Sequence, residues 1–490
     1  MDESKPGRNL PIDNPLMLID GELVESESKR RFVSINPANE EELGTVPEGS
    51  AKDVERAYEA AAAAQPEWAA LSPAQRGATL RKLADALHAQ RERILVTEVM
   101  DTGNTIAKMR GDVGAAVSQL TYFSGLGYEL KGDTIPATPG NLHLTVREPY
   151  GVVGRIIPFN HPIMFAAAKL GPALMAGNTV IEKPSEQSPL SASILAEICA
   201  EVLPPGVVNI ITGFGKEAGD AIVRHPKIKR IAFIGSVPTG MAIQRSAAEV
   251  AVKNLTLELG GKNPMIVFPD ADMEKAVPAA IAGMNFAWQG QSCGSTSRLF
   301  LHADIHDSFL GDLAARVSAM RVGDPLDEDS DMGPINNKGQ FEKVLHYIEI
   351  GKEDGGRLVA GGKRPQGKQF EKGYWIEPTV FADMTPDMRL AKEEVFGPVL
   401  SVFKWDDLDE VLAVANSVEY GLTGAIWTRD ISTAIATARR LQSGYIWING
   451  VGAHYPAMSF GGFRNSGTGR EEGIDEMLSY TEEKAIHIMM

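Results

Sequence analysis

A chain of 490 residues is too long for one hydrophobic core, so two or three domains are expected. Hydrophobic content of 43% and charged content of 23% are those of an ordinary globular chain. The formal net charge of -16 argues against a nucleic-acid binder, which carries a basic face, and against attraction to anionic lipid.

Residues 1–50 read as an extended arm with short strand pieces. The start, Met1-Asp2-Glu3-Ser4-Lys5, lacks the apolar core of a signal peptide. Leu18-Ile19-Asp20-Gly21-Glu22-Leu23-Val24 suggests a hairpin around Asp20-Gly21. An alanine-rich helix is expected over 53–71. Ser72-Pro73-Ala74-Gln75 then offers a capping serine, proline at the first helical position and glutamine at the third. Leu80, Leu83, Ala84 and Leu87 follow at helical spacing as a buried stripe, and helical character runs to about Asp101, where Thr102-Gly103 stops it. Residues 130–149 change texture. Turn signals surround the alternating run Leu142-His143-Leu144-Thr145-Val146-Arg147. A lone two-stranded hairpin is marginal unless packed on something, so this one reads as an assembly arm.

From Val152 the rhythm is strand and helix in turn. Short apolar runs at 152–157, 180–181, 207–211 and 231–234 alternate with helical stretches at 162–176, 188–203 and 215–225. That pattern predicts a mainly parallel sheet covered on both faces, with ligands bound outside the carboxyl ends of its strands. A second α/β rhythm starts at Met265-Ile266-Val267-Phe268. It continues with a helical stretch at 273–288 and strands at 298–301, 399–403 and 424–427. The main boundary falls near Gly260-Gly261, between Glu258 and Cys293, so the two would meet across a cleft. No run of about 18 uncharged apolar residues occurs, so no membrane span is expected.

Cysteine is scarce. Cys199 and Cys293 stand at unrelated positions, with no disulfide framework and no metal-ligand spacing, which fits a reducing, cytoplasmic setting. Cys199 sits in an amphipathic helical pattern and reads as core packing. Cys293 lies in Gly290-Gln291-Ser292-Cys293-Gly294, a small polar run where a thiol can be approached. Glu258 follows Leu255-Thr256-Leu257 and precedes two glycines that let backbone approach a ligand. A carboxylate beside apolar residues can have a raised pKa and act as a base near neutrality. Asn160 at a strand end offers a side-chain amide to an oxyanion, although a turn-stabilising asparagine is commoner. Lys183 and Glu186 at another strand end suit a ribose. The carboxylate would repel a 2′-phosphate, which favours NAD over NADP. Gly235-Ser236 before a helix start suits a pyrophosphate. Gly213-Phe214-Gly215-Lys216-Glu217-Ala218-Gly219 is a loose dinucleotide pattern with its last glycine one place late, and an ordinary loop is the better reading.

Seven motifs in order resemble the aldehyde dehydrogenase superfamily, non-acylating branch. They are Pro158-Phe159-Asn160-His161-Pro162, Lys183-Pro184-Ser185-Glu186, Phe233-Ile234-Gly235-Ser236, Leu257-Glu258-Leu259-Gly260-Gly261-Lys262, Gly290-Gln291-Ser292-Cys293, Glu394-Val395-Phe396-Gly397-Pro398-Val399 and Phe460-Gly461-Gly462-Phe463-Arg464-Asn465-Ser466-Gly467. The likeness runs from about residue 20 to the C-terminus. It implies an α/β fold in three parts. These are a Rossmann-like NAD-binding domain (1–125 and 149–259), an α/β catalytic domain (260–470) and a small β oligomerisation domain (126–148 and 471–490). The last would join subunits into a homodimer or homotetramer.

The resemblance also implies roles. Cys293 attacks an aldehyde as a thiolate, Asn160 and the Cys293 N–H hold the oxyanion, and Glu258 activates the water that releases the acid. Lys169 matches a family lysine near the site. Lys183 and Glu186 would hold the adenine ribose, Ser236 the pyrophosphate, and Glu394 with Phe396 the nicotinamide riboside. Ile156, Pro158, Ser185, Gly215, Gly219, Phe233, Gly235, Leu259 and Gly260 would also bind the cofactor. NAD is the expected cofactor, with NADP less favoured, and no metal is expected. His161, Phe165, Ala168, Met284, Trp288, Ser292, His454, Tyr455 and Phe460 would line the substrate tunnel. The chain departs from family habit at His161, Ala168, Ile234 and Arg464. Ala168, where a bulky aromatic is common, should widen the tunnel for a bulky apolar or aromatic aldehyde. A betaine aldehyde or a semialdehyde is the alternative. An acyl-CoA-forming enzyme or a non-enzymatic scaffold is disfavoured by the presence of Glu258 and Cys293. No nucleic-acid or membrane partner is expected.

Overall fold

Asp20 and Gly21 both take left-handed backbone (φ 55° and 77°), and the strands Met17–Ile19 and Glu22–Val24 pair antiparallel across them. This hairpin edges an eight-stranded sheet in the computed structural model, which describes residues 10–490. The polar start, Met1 to Lys5, lies outside the described residues. Five strands form the parallel centre of the sheet, in the spatial order Val208–Ile210, Thr179–Lys183, Val152–Ile156, Arg230–Ile234 and Asn254–Glu258. Their side chains are buried along nearly their whole length, as a sheet covered on both faces requires. Register aligns Ile156 with Lys183 and Ile234 with Glu258, so these strands end along one edge.

A second sheet of seven strands contains Pro264–Val267, Arg298–His302, Val399–Trp405, Thr423–Trp427 and Tyr445–Ile448, all parallel to their neighbours. Leu142–Pro149 pairs antiparallel with Thr481–Ile488 along eight residues, with the short strand Thr134–Ile135 on its other side. The hairpin read from the sequence is therefore completed by the chain's own C-terminal strand. Ile486, Ile488 and Met490 on that segment are exposed.

The helix at 72–89 has the capping box that Ser72 and Gln75 suggest. Helical character runs to Thr102 and stops at the left-handed Gly103 (φ 77°), as expected, with a turn at Gln90 between Pro73–Ala89 and Arg91–Thr102. One reading needs correction. The stretch 273–288 is not one helix. It ends at Gly283, and Asn285 and Gln289 (φ 56° and 53°) bracket a single turn, Phe286–Trp288. That break, followed by Gly290 at φ 67°, turns the chain so that residues 290–294 emerge as a loop. The helix Ile106–Ser124 has no counterpart in the sequence reading, although it buries Met109, Val113, Leu120 and Phe123. Among the described residues no helix is long and apolar enough to cross a membrane.

Candidate active site

The cysteine loop is fixed from below by Asn263. Its Nδ2 donates to the carbonyl of Cys293 (2.7 Å) and to that of Ser295 (2.9 Å), while its Oδ1 accepts from the Thr423 N–H (2.9 Å). A Cβ on Gly261 would stand 2.5 Å from the Cys293 carbonyl oxygen, so only glycine admits this approach. The Cys293 N–H itself donates to no acceptor among the described residues. Cys199, by contrast, is sealed in the core, where burial pushes its thiol far above the usual range.

Glu258 ends the strand Asn254–Glu258. Its main chain is pinned on both sides, since its carbonyl accepts from the Gly235 N–H (3.0 Å) and the next residue, Leu259, donates to the Ser466 carbonyl (2.9 Å). Its carboxyl is buried, and Oε1 has no hydrogen-bond partner. Burial, then the nearby Glu471 carboxylate, raises its pKa well above the ordinary value. Burial also raises Cys293, followed by the charges of Glu258 and Glu394. Thiol and carboxyl thus sit within hydrogen-bond reach, and the coupling is one-sided: the Glu258 charge raises the thiol, whereas the thiol's hydrogen bond favours the charged carboxylate and lowers Glu258. Asn160 follows the strand Val152–Ile156. Its main-chain carbonyl is anchored by Asn104 Nδ2 (3.0 Å), and its side-chain amide is buried with no partner among the described residues.

Asn160, Glu258 and Cys293 all border one cleft of about 320 Å³ at the carboxyl ends of the parallel strands. At one end Lys183 Nζ donates to Glu186 Oε2 and to the Pro184 carbonyl, both at 2.8 Å. Burial alone would raise Glu186, but the Lys183 ammonium holds it below the usual range, so the carboxylate is charged. Ser185, Ile156, Pro158 and Gly215 border the same end. Midway, Ser236 stands before the helix Val237–Ala248 with its hydroxyl 3.0 Å from that of Thr239. A Cβ on Gly235 would run into the Phe233 ring. Near Cys293 come Leu259, Gly260, Glu394 and Phe396. Glu394 Oε1 accepts from the Gly261 N–H (2.8 Å), and a Cβ on Gly260 would strike the Glu394 carboxylate. Phe396 is left-handed (φ 56°), held there by Gln340 Nε2, which donates to the Val395 and Phe396 carbonyls (2.9 and 2.7 Å). A charged carboxylate with a lysine, a helix N-terminus and glycines that keep the floor low together fit a ribose–pyrophosphate–ribose chain.

Gly219 does not border the cleft. It lies behind Lys183, where an added Cβ would be 3.6 Å from that side chain. Lys169 does not border it either. It is buried 3.1 Å from both Glu471 and Glu476, and those carboxylates outweigh burial and keep it charged. Its charge still lowers the Glu258 pKa from a distance.

On the other face of Cys293 the thiol packs near Leu422, Tyr445, Trp447 and Phe460. His454 stacks on Tyr445 (5.6 Å) and lies 4.8 Å from the Phe460 ring, with Nδ1 3.0 Å from both Glu472 oxygens. Tyr455 is exposed beyond it. A second group joins His161, Phe165 and Trp288, with ring separations of 5.8 and 5.4 Å from the histidine. Ala168 is buried in the core of the first sheet. Met284 is buried beneath the cysteine loop and shares a small pocket there with Ser292. Ala168 shares its buried cluster with Phe165, three residues before it on the helix Pro162–Ala168, whereas Met284 belongs to the core of the second sheet.

Asn263, which holds the cysteine loop, and Gln340 and Lys343, which border the cleft, carry no mark in the sequence reading. Gln340 and Lys343 border the cleft from the helix Lys338–Glu353, which reaches over from the second sheet. The one local signal was Asn337, whose side chain caps that helix by accepting from the Gln340 N–H (3.0 Å).

The model of the "Aldehyde dehydrogenase family" matches residues 23–486. The chain is 43% identical to aldehyde dehydrogenase tropH of Talaromyces stipitatus, covering 98% of this chain and 94% of that protein. It is 41% identical to retinaldehyde dehydrogenase 3 of Mus musculus, covering 99% and 95%. Among solved structures, the NAD+ complex of aldehyde dehydrogenase from Bacillus cereus superposes with a TM-score of 0.95 at 39% identity, over 98% of this chain and 97% of that one. Betaine aldehyde dehydrogenase from Staphylococcus aureus in complex with NAD+ gives 0.95 at 37%, over 98% and 96%.

Proposed function

The chain belongs to the aldehyde dehydrogenase family and is an NAD-dependent enzyme that oxidises aldehydes to carboxylic acids, and from that premise we propose the residues that carry the reaction and the kind of aldehyde it takes. Cys293 is the nucleophile. Glu258 takes the thiol proton, and the sulfur adds to the aldehyde carbonyl to give a thiohemiacetal. The Asn160 amide and the Cys293 N–H, both without partners among the described residues, donate to the new oxyanion. NAD bound in the cleft would accept the hydride, leaving the oxidised carbon on Cys293 as a thioester. Glu258 passes the thiol proton to solvent and then removes a proton from water; the water oxygen attacks the thioester carbonyl, the carbon–sulfur bond breaks, and Glu258 returns its proton to the sulfur as the acid leaves.

The observation that carries this reading is the buried Glu258 carboxyl within hydrogen-bond reach of the Cys293 thiol, its Oε1 without a partner among the described residues. Glu186 supports a preference for NAD over NADP, because its charge would meet a 2′-phosphate.

For the substrate we propose a bulky apolar or aromatic aldehyde. The aromatic rings of Phe460, Tyr445, Phe165 and Trp288 and the small side chain at Ala168 support it. The division into cofactor, catalytic and oligomerisation parts is the one expected above. The exposed Ile486 and Ile488 support assembly as a homodimer or homotetramer through the C-terminal strand. Two free cysteines support a cytoplasmic setting.

The test is NADH appearance with aldehydes from acetaldehyde to long aliphatic, aromatic and betaine aldehydes, beside Cys293→Ala. Oxidation of the large apolar members, lost in the variant, is expected. A preference for acetaldehyde or betaine aldehyde would overturn the substrate reading.

A further inference from the structure

His161 stands next to the oxyanion donor Asn160, before the helix Pro162–Ala168, with its ring 5.4 Å from Trp288 and 5.8 Å from Phe165. Its Nδ1 is 2.7 Å from Asp112 Oδ2, which comes from the helix Ile106–Ser124 behind it. Asp112 is buried on the same helix whose Ile106 and Met109 pack against Trp288. A carboxylate only accepts, so the shared proton sits on Nδ1 and the neutral ring is the Nδ1–H tautomer. Nε2 then carries a lone pair. It has no partner among the described residues, and the side chain keeps 11% of its surface open.

Nε2 is not sealed from solvent, so it stands between two aromatic rings as an acceptor that an incoming donor can reach. From this arrangement we infer that His161, oriented by Asp112, is a specificity-determining residue for a hydroxyl group on the aldehyde, and that the preferred substrates are hydroxyaryl aldehydes. The inference rests on the bulky or aromatic substrate reading and refines it. The aryl ring packs against Trp288 and Phe165, and its O–H donates to Nε2. A methoxy group in the same place has no hydrogen to give and meets the lone pair with its own. Asp112 acts as a positioning residue, since it touches the histidine and not the substrate. A second imidazole–carboxylate pair, His454 with Glu472, lies on the group of rings nearer Cys293, but its side chain is 39% exposed and solvent competes for it.

The test compares kcat/KM, with NAD and the full chain, for benzaldehyde, the three hydroxybenzaldehydes and their methoxy counterparts. At least one hydroxy isomer is expected to exceed both benzaldehyde and its own methoxy analogue by about tenfold or more, the range of one hydrogen bond to a buried site. His161→Phe should reduce that ratio by about tenfold. Asp112→Asn, whose amide can also turn a donor toward Nδ1 and free the other tautomer, should shrink the discrimination against the methoxy analogue, a readout that general loosening of the helix would not move in that direction. A wild-type preference below tenfold overturns the inference, as does a preference that survives both substitutions. In those cases oxidation of benzaldehyde itself leaves the broader substrate reading standing. Failure to oxidise any aryl aldehyde would remove that reading, and this inference with it.

Discussion

Asn263→Ala should damage the enzyme more than any contact with substrate or cofactor would explain, because Asn263 touches neither. The substitution removes two donors and one acceptor at once. It strands the carbonyls of Cys293 and Ser295 and the N–H of Thr423. A buried group left unsatisfied costs about 1–3 kcal/mol, so three of them cost about 3–9 kcal/mol, with the low end reached where water enters the space. With about 2.1 cal/mol/K of unfolding entropy per residue over 490 residues, 3 kcal/mol lowers the melting midpoint by about 3 °C. The functional effect should be larger. A loop released by about 1 Å misplaces both the sulfur and the Cys293 N–H, and displacements of that size cost about 10²-fold in rate. The assay is NADH production under saturating NAD, read beside a thermal melt and the stoichiometry of thiol labelling. If Asn263→Ala kept kcat/KM within about threefold while melting several degrees lower, the loop would be held by something else and the reasoning would fail.

Other outcomes follow from the electrostatics and from the cleft. Burial and then the Glu258 charge hold the Cys293 thiol well above its usual pKa, so labelling by a thiol reagent without NAD should still be rising above about pH 9. Removing that charge in Glu258→Gln favours the thiolate and should move the rise to lower pH, whereas an unmoved profile would deny the coupling. Glu186→Ser removes the charge facing a 2′-phosphate and should raise the NADP-to-NAD ratio of kcat/KM by about tenfold or more. No gain would place the discrimination elsewhere. Ala168→Trp should depress turnover of large aldehydes relative to acetaldehyde by about tenfold. An unchanged ratio would show that position 168 does not shape the tunnel.

The chemistry of this chain is unusually local in the sequence. Cys293, Glu258 and Asn160 each lie in a short run whose glycines or strand end mark a place for chemistry, and all three border one cleft. The parallel sheet was equally visible, since its strands are apolar throughout and its helices fill the intervals. What could not be read was tertiary. The helix Ile106–Ser124 carries Gly111 and Gly114 in its exposed face, which blurs its pattern, yet it supplies Asp112 to His161. Gln340 shapes the cleft only because its helix folds back over Phe396. Lys169 is near Glu258 in charge but bound to Glu471 and Glu476, residues about three hundred positions away that no local pattern connects to it. Met284 has the composition of a tunnel wall, but the break after Gly283 turns it beneath the cysteine loop.

The central claim is the division of labour between Cys293 and Glu258, and pre-steady-state NADH formation tests it directly. With an aldehyde substrate and saturating NAD, Glu258→Gln should form one NADH per active site, more slowly than the wild type's first turnover because the base for the thiol proton is gone, and then nearly stop, with the acyl group retained on the protein at Cys293. Cys293→Ala should give no burst. Steady turnover by Glu258→Gln at the wild-type rate would contradict the account, as would NADH from Cys293→Ala.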